Sequence, residues 1–275
     1  MKANYHVHSH YSSDSVYNME DVILDAIDCK IEELCFTDHV DYGVLPDHDD
    51  GPFLVKDGFK YVNVDYPNYY KDILKYREKY GDKINIKLGL EFGMQTHTID
   101  KYQKLFDSYP FDFIIMSVHQ IGDKELWNQE FQEEKSQAEY NEAYYNEIYE
   151  VIKEYKDYSV LGHLDSMVRY DKCGSYPFDK IKGIVEKILI QVIKDGKGIE
   201  LNTSSRRYGL SDLTPSRDIL KLYRQLGGTV ITIGSDSHKA EHINDGLDQA
   251  KVELKNLGFD KFCTFENMKP IYHDL

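Results

Sequence analysis

Only four cysteines occur in the 275 residues, Cys29, Cys35, Cys173 and Cys263, and no two form a Cys-x-x-Cys pair. That spacing offers no disulfide framework and fits reduced thiols in a cytoplasmic protein. Basic charge is also scarce: 33 Lys and Arg stand against 48 Asp and Glu, a formal net charge of −15. Non-specific binding to nucleic acid or to anionic membranes needs clustered cations, so neither partner is expected. No apolar run approaches the roughly 18 residues that span a bilayer. The polar opening, Met1 to Ser15, lacks the apolar stretch of an export signal. Gly-x-Gly-x-x-Gly and Walker A sequences are missing too, which disfavours a nucleotide-cradling sheet. There is no linker and no internal repeat, so residues 1–275 read as a single domain. Oligomeric state leaves no mark in the sequence.

What is present is an alternation of short apolar runs with amphipathic helices. Met19, Val22, Ile23, Ala26 and Ile27 fall at helical spacing, and Glu33 to Thr37 follows as a strand. Residues 40–66 carry Gly43, Pro46, Gly51, Pro52 and Gly58 among acidic residues; a structureless loop this long is usually functional. Pro67 to Tyr80 is helical. Ile84 to Phe92 is a strand with Leu88, Leu90 and Phe92 on one face and Gly89, Glu91 and Gly93 on the other. A helix over about 98–108, a strand from Phe111 to Val118 and a helix over about 135–156 lead to a strand ending at His163. A helix from Phe178, a strand over Gly198 to Thr203, and a helix capped by Thr214 with Pro215 at its first position come next. Thr229 to Asp236 is the seventh strand. A helix through Leu257 follows it, and Lys261 to Phe265 is read as a short last strand. Strands each followed by a helix imply a parallel sheet covered on both sides, and seven such units favour a closed barrel.

The working face of such a barrel lies at the C-terminal strand ends. His6 and His8 end the first strand, His39 the second, Glu91 the third and His119 the fourth. His163 and Asp165 end the fifth, Asp236 and His238 the seventh. Six of the eleven histidines thus share one ring, where imidazoles and carboxylates from different strands converge as metal ligands do. Asp38 lies on the opposite face from His39 and is read as a carboxylate that orients an imidazole from behind. His10, His48, His97, His242 and His273 fall outside the ring.

The combination resembles the polymerase-and-histidinol-phosphatase (PHP) family. The stretches that carry the resemblance are His6-Val-His8-Ser-His-Tyr-Ser-Ser-Asp14-Ser, Thr37-Asp38-His39, Gly89-Leu90-Glu91 and Ser117-Val118-His119. Gly162-His163-Leu164-Asp165 and Gly234-Ser235-Asp236-Ser237-His238 complete them. Within the family the chain looks most like the histidinol-phosphate phosphatases, whose sixth-strand signature Glu200-Leu201-Asn202-Thr203-Ser204 matches. Asp14 stands where many relatives have a histidine.

The resemblance implies a distorted (β/α)7 TIM-like barrel holding three divalent metals, zinc, manganese or iron. It assigns His6, His8, Glu91 and Asp236 to a first metal. Glu91 would bridge to a second with His119 and His163, and Asp14, His39 and His238 would hold a third. Asp236, His238 and Glu91 are the catalytic candidates; Arg169, His39 and either Arg206 or Arg207 are the substrate-binding ones. Guanidinium suits a phosphate because its fork donates two hydrogen bonds at once. The reaction implied is hydrolysis of a small-molecule phosphate monoester, L-histidinol phosphate, by a metal-activated hydroxide, as in histidine biosynthesis. The alternative is a PHP-type phosphatase or nuclease acting on another phosphoester, such as a nucleotide; the acidic charge counts against it.

Overall fold

A computed structural model describes residues 1–56 and 58–275. Seven parallel strands pair in chain order: β1 (Ala3–Asn4), β2 (Glu33–Phe36), β3 (Asn85–Gly93), β4 (Phe113–Ser117), β5 (Val160–Leu161), β6 (Gly198–Asn202) and β7 (Ile231–Gly234). A two-residue piece, His39–Val40, prolongs β2 along β3 and sets His39 opposite Glu91. Between the first and last strands Val7 and Ser237 form a parallel bridge. The Tyr5 N–H donates to the Ile233 carbonyl at 3.0 Å, and the Asp236 N–H to the His6 carbonyl at 2.8 Å. The sheet therefore curls into a nearly closed α/β barrel, with helices between successive strands.

Periodicity explains the layers. β3 turns Leu88, Leu90 and Phe92 toward the helices and keeps Gly89, Glu91 and Gly93 inside. Helix α1 (Met19–Asp28) buries Met19, Val22, Ile23 and Ala26, and Asn18 caps it by accepting from the Glu20 N–H. Pro67 sits in the first turn of α2 (Tyr66–Tyr80), and α3 (Ile99–Ser108) follows β3. The longest helix, α4 (Gln137–Glu154), opens with a capping box in which Ser136 and Glu139 satisfy each other's backbone N–H groups. Losing that cap would cost about 1 kcal/mol. α5 (Phe178–Lys194) packs on the sheet through Ile181, Val185, Ile188, Leu189 and Val192.

Four expectations change. The segment 40–66 contains an antiparallel hairpin, Leu54–Lys56 with Phe59–Tyr61. The helix expected from Thr214 begins later, as α6 (Arg217–Gln225), because Thr214 is spent on the barrel: its carbonyl accepts the Asn202 N–H at 2.8 Å. Lys261–Glu266, after α7 (Leu247–Asn256), is a strand as read, but it stands apart from the barrel sheet. It pairs with Lys269–Asp274 as an antiparallel hairpin, and Phe265 packs there against Tyr5 and Phe113 at the N-terminal end of the barrel. The first strand is shorter than read, with His6 and His8 on an extended run beyond it. Among the described residues no helix is long and apolar enough to cross a membrane.

Candidate metal centre

All nine residues expected to bind metal converge at the C-terminal end of the barrel. Glu91, fully buried at the tip of β3, is the hub. Its Oε1 lies 2.9 Å from His163 Nε2 and 3.2 Å from His119 Nε2, and accepts from Ser117 Oγ at 2.7 Å. Its Oε2 lies 3.0 Å from His6 Nε2, 3.2 Å from His39 Nδ1 and 3.5 Å from His8 Nε2. Asp236 closes the ring, with Oδ1 3.6 Å from His6 Nε2 and 3.5 Å from His8 Nε2. Its φ of 56° puts a non-glycine residue in the left-handed region, where the turn after β7 aims the carboxylate inward. Asp14, half-exposed at the rim, lies 3.0 Å from His238 Nε2 and 3.4 Å from His39 Nε2.

Among the described residues, ligand atoms close enough to share one ion fall into four overlapping groups: His8, Asp14, His39 and His238; His6, Glu91 and His163; His6, His8 and Asp236; and His39, Asp41 and His119. The grouping departs from the expected one. His8 also reaches the Asp14 group, and Asp41 enters through His119.

The imidazoles are held from behind in a way that leaves nitrogen lone pairs facing the ring. Glu200, fully buried on β6, accepts from His6 Nδ1 at 2.7 Å, which leaves Nε2 toward Glu91. Ser12 Oγ donates to Asp38 Oδ1 at 2.8 Å, so His8 Nδ1 at 3.0 Å must be the donor to that hydroxyl and His8 Nε2 carries the lone pair. Asp38 thus orients an imidazole only through Ser12, and it also accepts the Ser9 N–H at 2.6 Å. His8 Nε2, His39 Nδ1 and His238 Nε2 are buried nitrogens that face the carboxylates of Glu91 or Asp14 without a hydrogen-bond partner among the described residues. Unsatisfied buried nitrogens are costly, and a cation shared with the neighbouring carboxylates removes the cost. The donor set of imidazoles and carboxylates fits divalent zinc, manganese or iron.

Protonation follows the same geometry. Burial lowers His6, but Glu200, Glu91 and Asp236 outweigh it and hold the ring well above its ordinary range. His39 is likewise opposed by burial and lifted by Asp14 and Glu91 to about 9. His8 is driven well down by burial and by His238 and His39. Burial alone would raise Glu91 and Asp236; the surrounding imidazoles, and Arg169 beside Asp236, hold both well below the usual carboxylate range. A cluster that attracts protons this way attracts metal cations in competition with them.

Beside the ring opens a cavity of about 390 Å³, lined by Asp14, His39, His119, His163, Asp236 and His238 among others. Phe59, Tyr61, Trp127, Tyr170 and Tyr208 line it too, with Asp41, Glu125 and Arg169. The Arg169 guanidinium is nearly buried, lies 3.0 Å from Asp236 Oδ2 as an ion pair, donates from Nη2 to Ser204 Oγ at 2.7 Å, and lies 4.5 Å from the Tyr208 ring centroid. The two arginines expected as alternatives fall elsewhere. Arg206 is exposed and does not line the cavity. Arg207 binds Asp245 at 3.0 Å and the carbonyls of Ser235 and Asp236, bracing the turn that carries Asp236. Asp165 is not among the metal-like groups; it accepts the Ser216 N–H at 2.8 Å just before α6, and burial pushes it up to about 7. His10 Nδ1 accepts the Met19 N–H at the start of α1, outside the ring.

Sequence reasoning passed over Asp41, Ser12, Ser117 and a role for Glu200. Two of these had a signal. Asp41 is two residues from His39 and so shares its face, and Glu200 and Asn202 alternate with outward Ile199 and Leu201.

Residues 4–204 match the model of the PHP domain. The chain belongs to the PHP family. Among relatives of this PHP protein is the histidinol-phosphatase of Lactococcus lactis, 33% identical over 98% of this chain and 96% of that one. The probable histidinol-phosphatase of Thermotoga maritima is 28% identical over 93% of this chain and 92% of that one. The crystal structure of the L. lactis histidinol phosphate phosphatase, complexed with zinc, L-histidinol and phosphate, superposes on the PHP chain with a TM-score of 0.84. It covers 98% of each chain at 32% identity.

Proposed function

We propose that this PHP protein is a histidinol-phosphatase, a phosphoric monoester hydrolase that converts L-histidinol phosphate to L-histidinol and phosphate. The observation that carries the reading is the cavity itself, which brings imidazoles and carboxylates of the ring, the buried Arg169 guanidinium and several aromatic rings to one space. A relative of the same length and fold binds zinc, L-histidinol and phosphate. We assign up to three divalent metals to His6, His8, Asp14, His39, Glu91, His119, His163, Asp236 and His238, within one domain. When bound, such metals supply Lewis acidity toward phosphoryl oxygens and lower the pKa of water near them.

The chain's own groups do the rest. Arg169, fixed by Asp236, Ser204 and the face of Tyr208, offers its donors to a phosphoryl oxygen at the cavity floor. Because it is already held in place, little rotamer freedom is lost when the ester arrives. Glu91 and Asp236 gather positive charge around the reacting end, where phosphoryl charge must be balanced. Asp236 and His238 are assigned to the side of the departing oxygen, where Arg169 lies 3.0 Å from the first and Asp14 3.0 Å from the second. Half-buried Glu125 and the aromatic rings suit a cationic amino alcohol with an imidazole, which stacks on an aromatic face. Phe59 and Tyr61 reach the cavity from the hairpin inside the 40–66 segment, which gives that long connection its purpose.

The test is an initial-rate comparison across phosphate monoesters, with metal content measured on the same sample. Histidinol phosphate is expected to give the highest kcat/KM, and chelator-stripped protein to lose activity and regain it with added metal. Full activity in the stripped protein overturns the metal reading. Faster release from nucleotides or single-stranded DNA moves the substrate to the other branch of the family.

A further inference from the structure

We infer that Asp41 is a positioning residue for the metal centre, acting through His119 and not as a ligand itself. His119 has one nitrogen on each side of the question. Its Nε2 faces Glu91 Oε1 at 3.2 Å, and its Nδ1 lies 2.8 Å from Asp41 Oδ1. A carboxylate at Nδ1 fixes the proton there, turns the Nε2 lone pair toward the Glu91 group and raises the basicity of the ring. The other oxygen, Oδ2, stands 3.9 Å from His39 Nδ1, beyond hydrogen-bond reach. The chain goes to some length to keep this contact. Asp41 follows directly on the His39–Val40 piece that pairs with Glu91–Phe92, which brings it across from Gly93. A Cβ on Gly93 would sit 1.8 Å from Asp41 Oδ1 and 2.7 Å from His119 Nδ1, so only glycine leaves room for the pair. Asn63, fully buried where the 40–66 segment returns to the barrel, accepts the Asp41 N–H at 2.8 Å and pins its backbone. The long connection therefore also delivers a carboxylate to the back of one imidazole.

The inference rests on the metal reading above, and the experiment separates the two. Wild type, Asp41→Ala, Asp41→Asn and Gly93→Ala are stripped, then titrated with Zn²⁺ against a competing chelator, and each stripped chain is melted for comparison. Loading with Co²⁺ reports ligand geometry through its visible bands. Asp41→Ala is expected to weaken one class of metal site by roughly 10- to 100-fold, leaving the other sites and the melting of the stripped chain in place. Gly93→Ala should copy it, and Asp41→Asn, whose amide oxygen still accepts from Nδ1, should recover a large part of the loss. Unchanged affinity in Asp41→Ala overturns the inference. So does an Asp41→Asn chain as deficient as the alanine variant with altered Co²⁺ bands, which makes Asp41 a direct ligand. Wild type that takes up no metal overturns the reading beneath it as well.

Discussion

At the N-terminal end of the barrel, Tyr5, Glu33, Lys87 and Asp112 are buried, as Glu91 and Asp236 are at the C-terminal end. The lower carboxylates are closed off by fixed donors. Glu33 takes the Tyr5 hydroxyl and the Asn85 amide at 2.6 Å. Asp112 takes Arg77, the Leu88 N–H at 3.0 Å and the Asn267 N–H at 3.2 Å. The upper carboxylates face imidazoles instead, several of which keep a nitrogen without a partner among the described residues. Burial of charge by itself therefore says nothing about function. What separates a network that stabilises from one that reacts is whether its lone pairs are already used.

Breaking the upper network should be felt in chemistry. Glu91→Gln removes the carboxylate that five imidazoles face, and Lewis-acid assistance is worth several kcal/mol, so kcat/KM for the phosphate ester should fall on the order of 10³-fold. Metal content should fall with it; retention of both would dissolve the contrast between the two ends. Arg169→Met removes the buried guanidinium and should lower kcat/KM by about 10²-fold while weakening inhibition by inorganic phosphate. Unaltered phosphate inhibition would place the anion elsewhere.

At the lower end the same kind of deletion should be felt in stability. Tyr5→Phe strands Glu33 and the Phe265 N–H, which now donates to the Tyr5 hydroxyl at 2.7 Å. A loss of about 1–3 kcal/mol in urea unfolding is expected, with kcat/KM within about twofold of wild type, a change of under 0.5 kcal/mol in barrier. A tenfold loss of activity would mean the two ends are coupled.

The pH dependence of the chelated protein sharpens the comparison further. His39 is raised to about 9 in the fold, against about 6.5 in an unfolded chain. Its ion pairs with Asp14 and Glu91 therefore stabilise fully below about pH 6.5 and are lost as pH rises through the folded value. The thermal midpoint in chelator should drift down over that window. Metal-saturated protein should hold or rise, because binding needs unprotonated imidazoles. A flat profile in chelator would remove His39 from the ion-pair network. The smallest effect belongs to exposed Arg206: Arg206→Ala should leave kcat/KM within about twofold, under 0.5 kcal/mol, and a KM rise beyond tenfold would restore it to the cavity.

The barrel and the convergence of its strand-end residues were legible in the chain because both are periodic. Alternation along Leu88 to Gly93 assigns an inside and an outside, and the inside of a parallel strand ends at the working face. Elements whose partners are distant in sequence were not legible. Thr214 has the chemistry of a helix cap and becomes a bridge to Asn202; Lys269–Asp274 has no clear alternation and becomes a strand because Lys261–Glu266 lies beside it. Arg206 and Arg207 are neighbours of identical chemistry. The turn after Asn202 leaves one in solvent and sets the other on the carbonyls of Ser235 and Asp236.

By itself, then, the sequence determined the number and order of the barrel strands, the face their side chains take, and the residue types gathered at the C-terminal ends. Side-chain alternation and helical spacing are local properties, and they survive without knowing what lies across the barrel. The tertiary structure decided which imidazole nitrogen keeps its lone pair, through Glu200 behind His6 and Ser12 behind His8. It also decided that Arg169, of the three candidate arginines, lines the cavity. Those outcomes depend on distances between strands far apart in the chain, and only the closed barrel sets them.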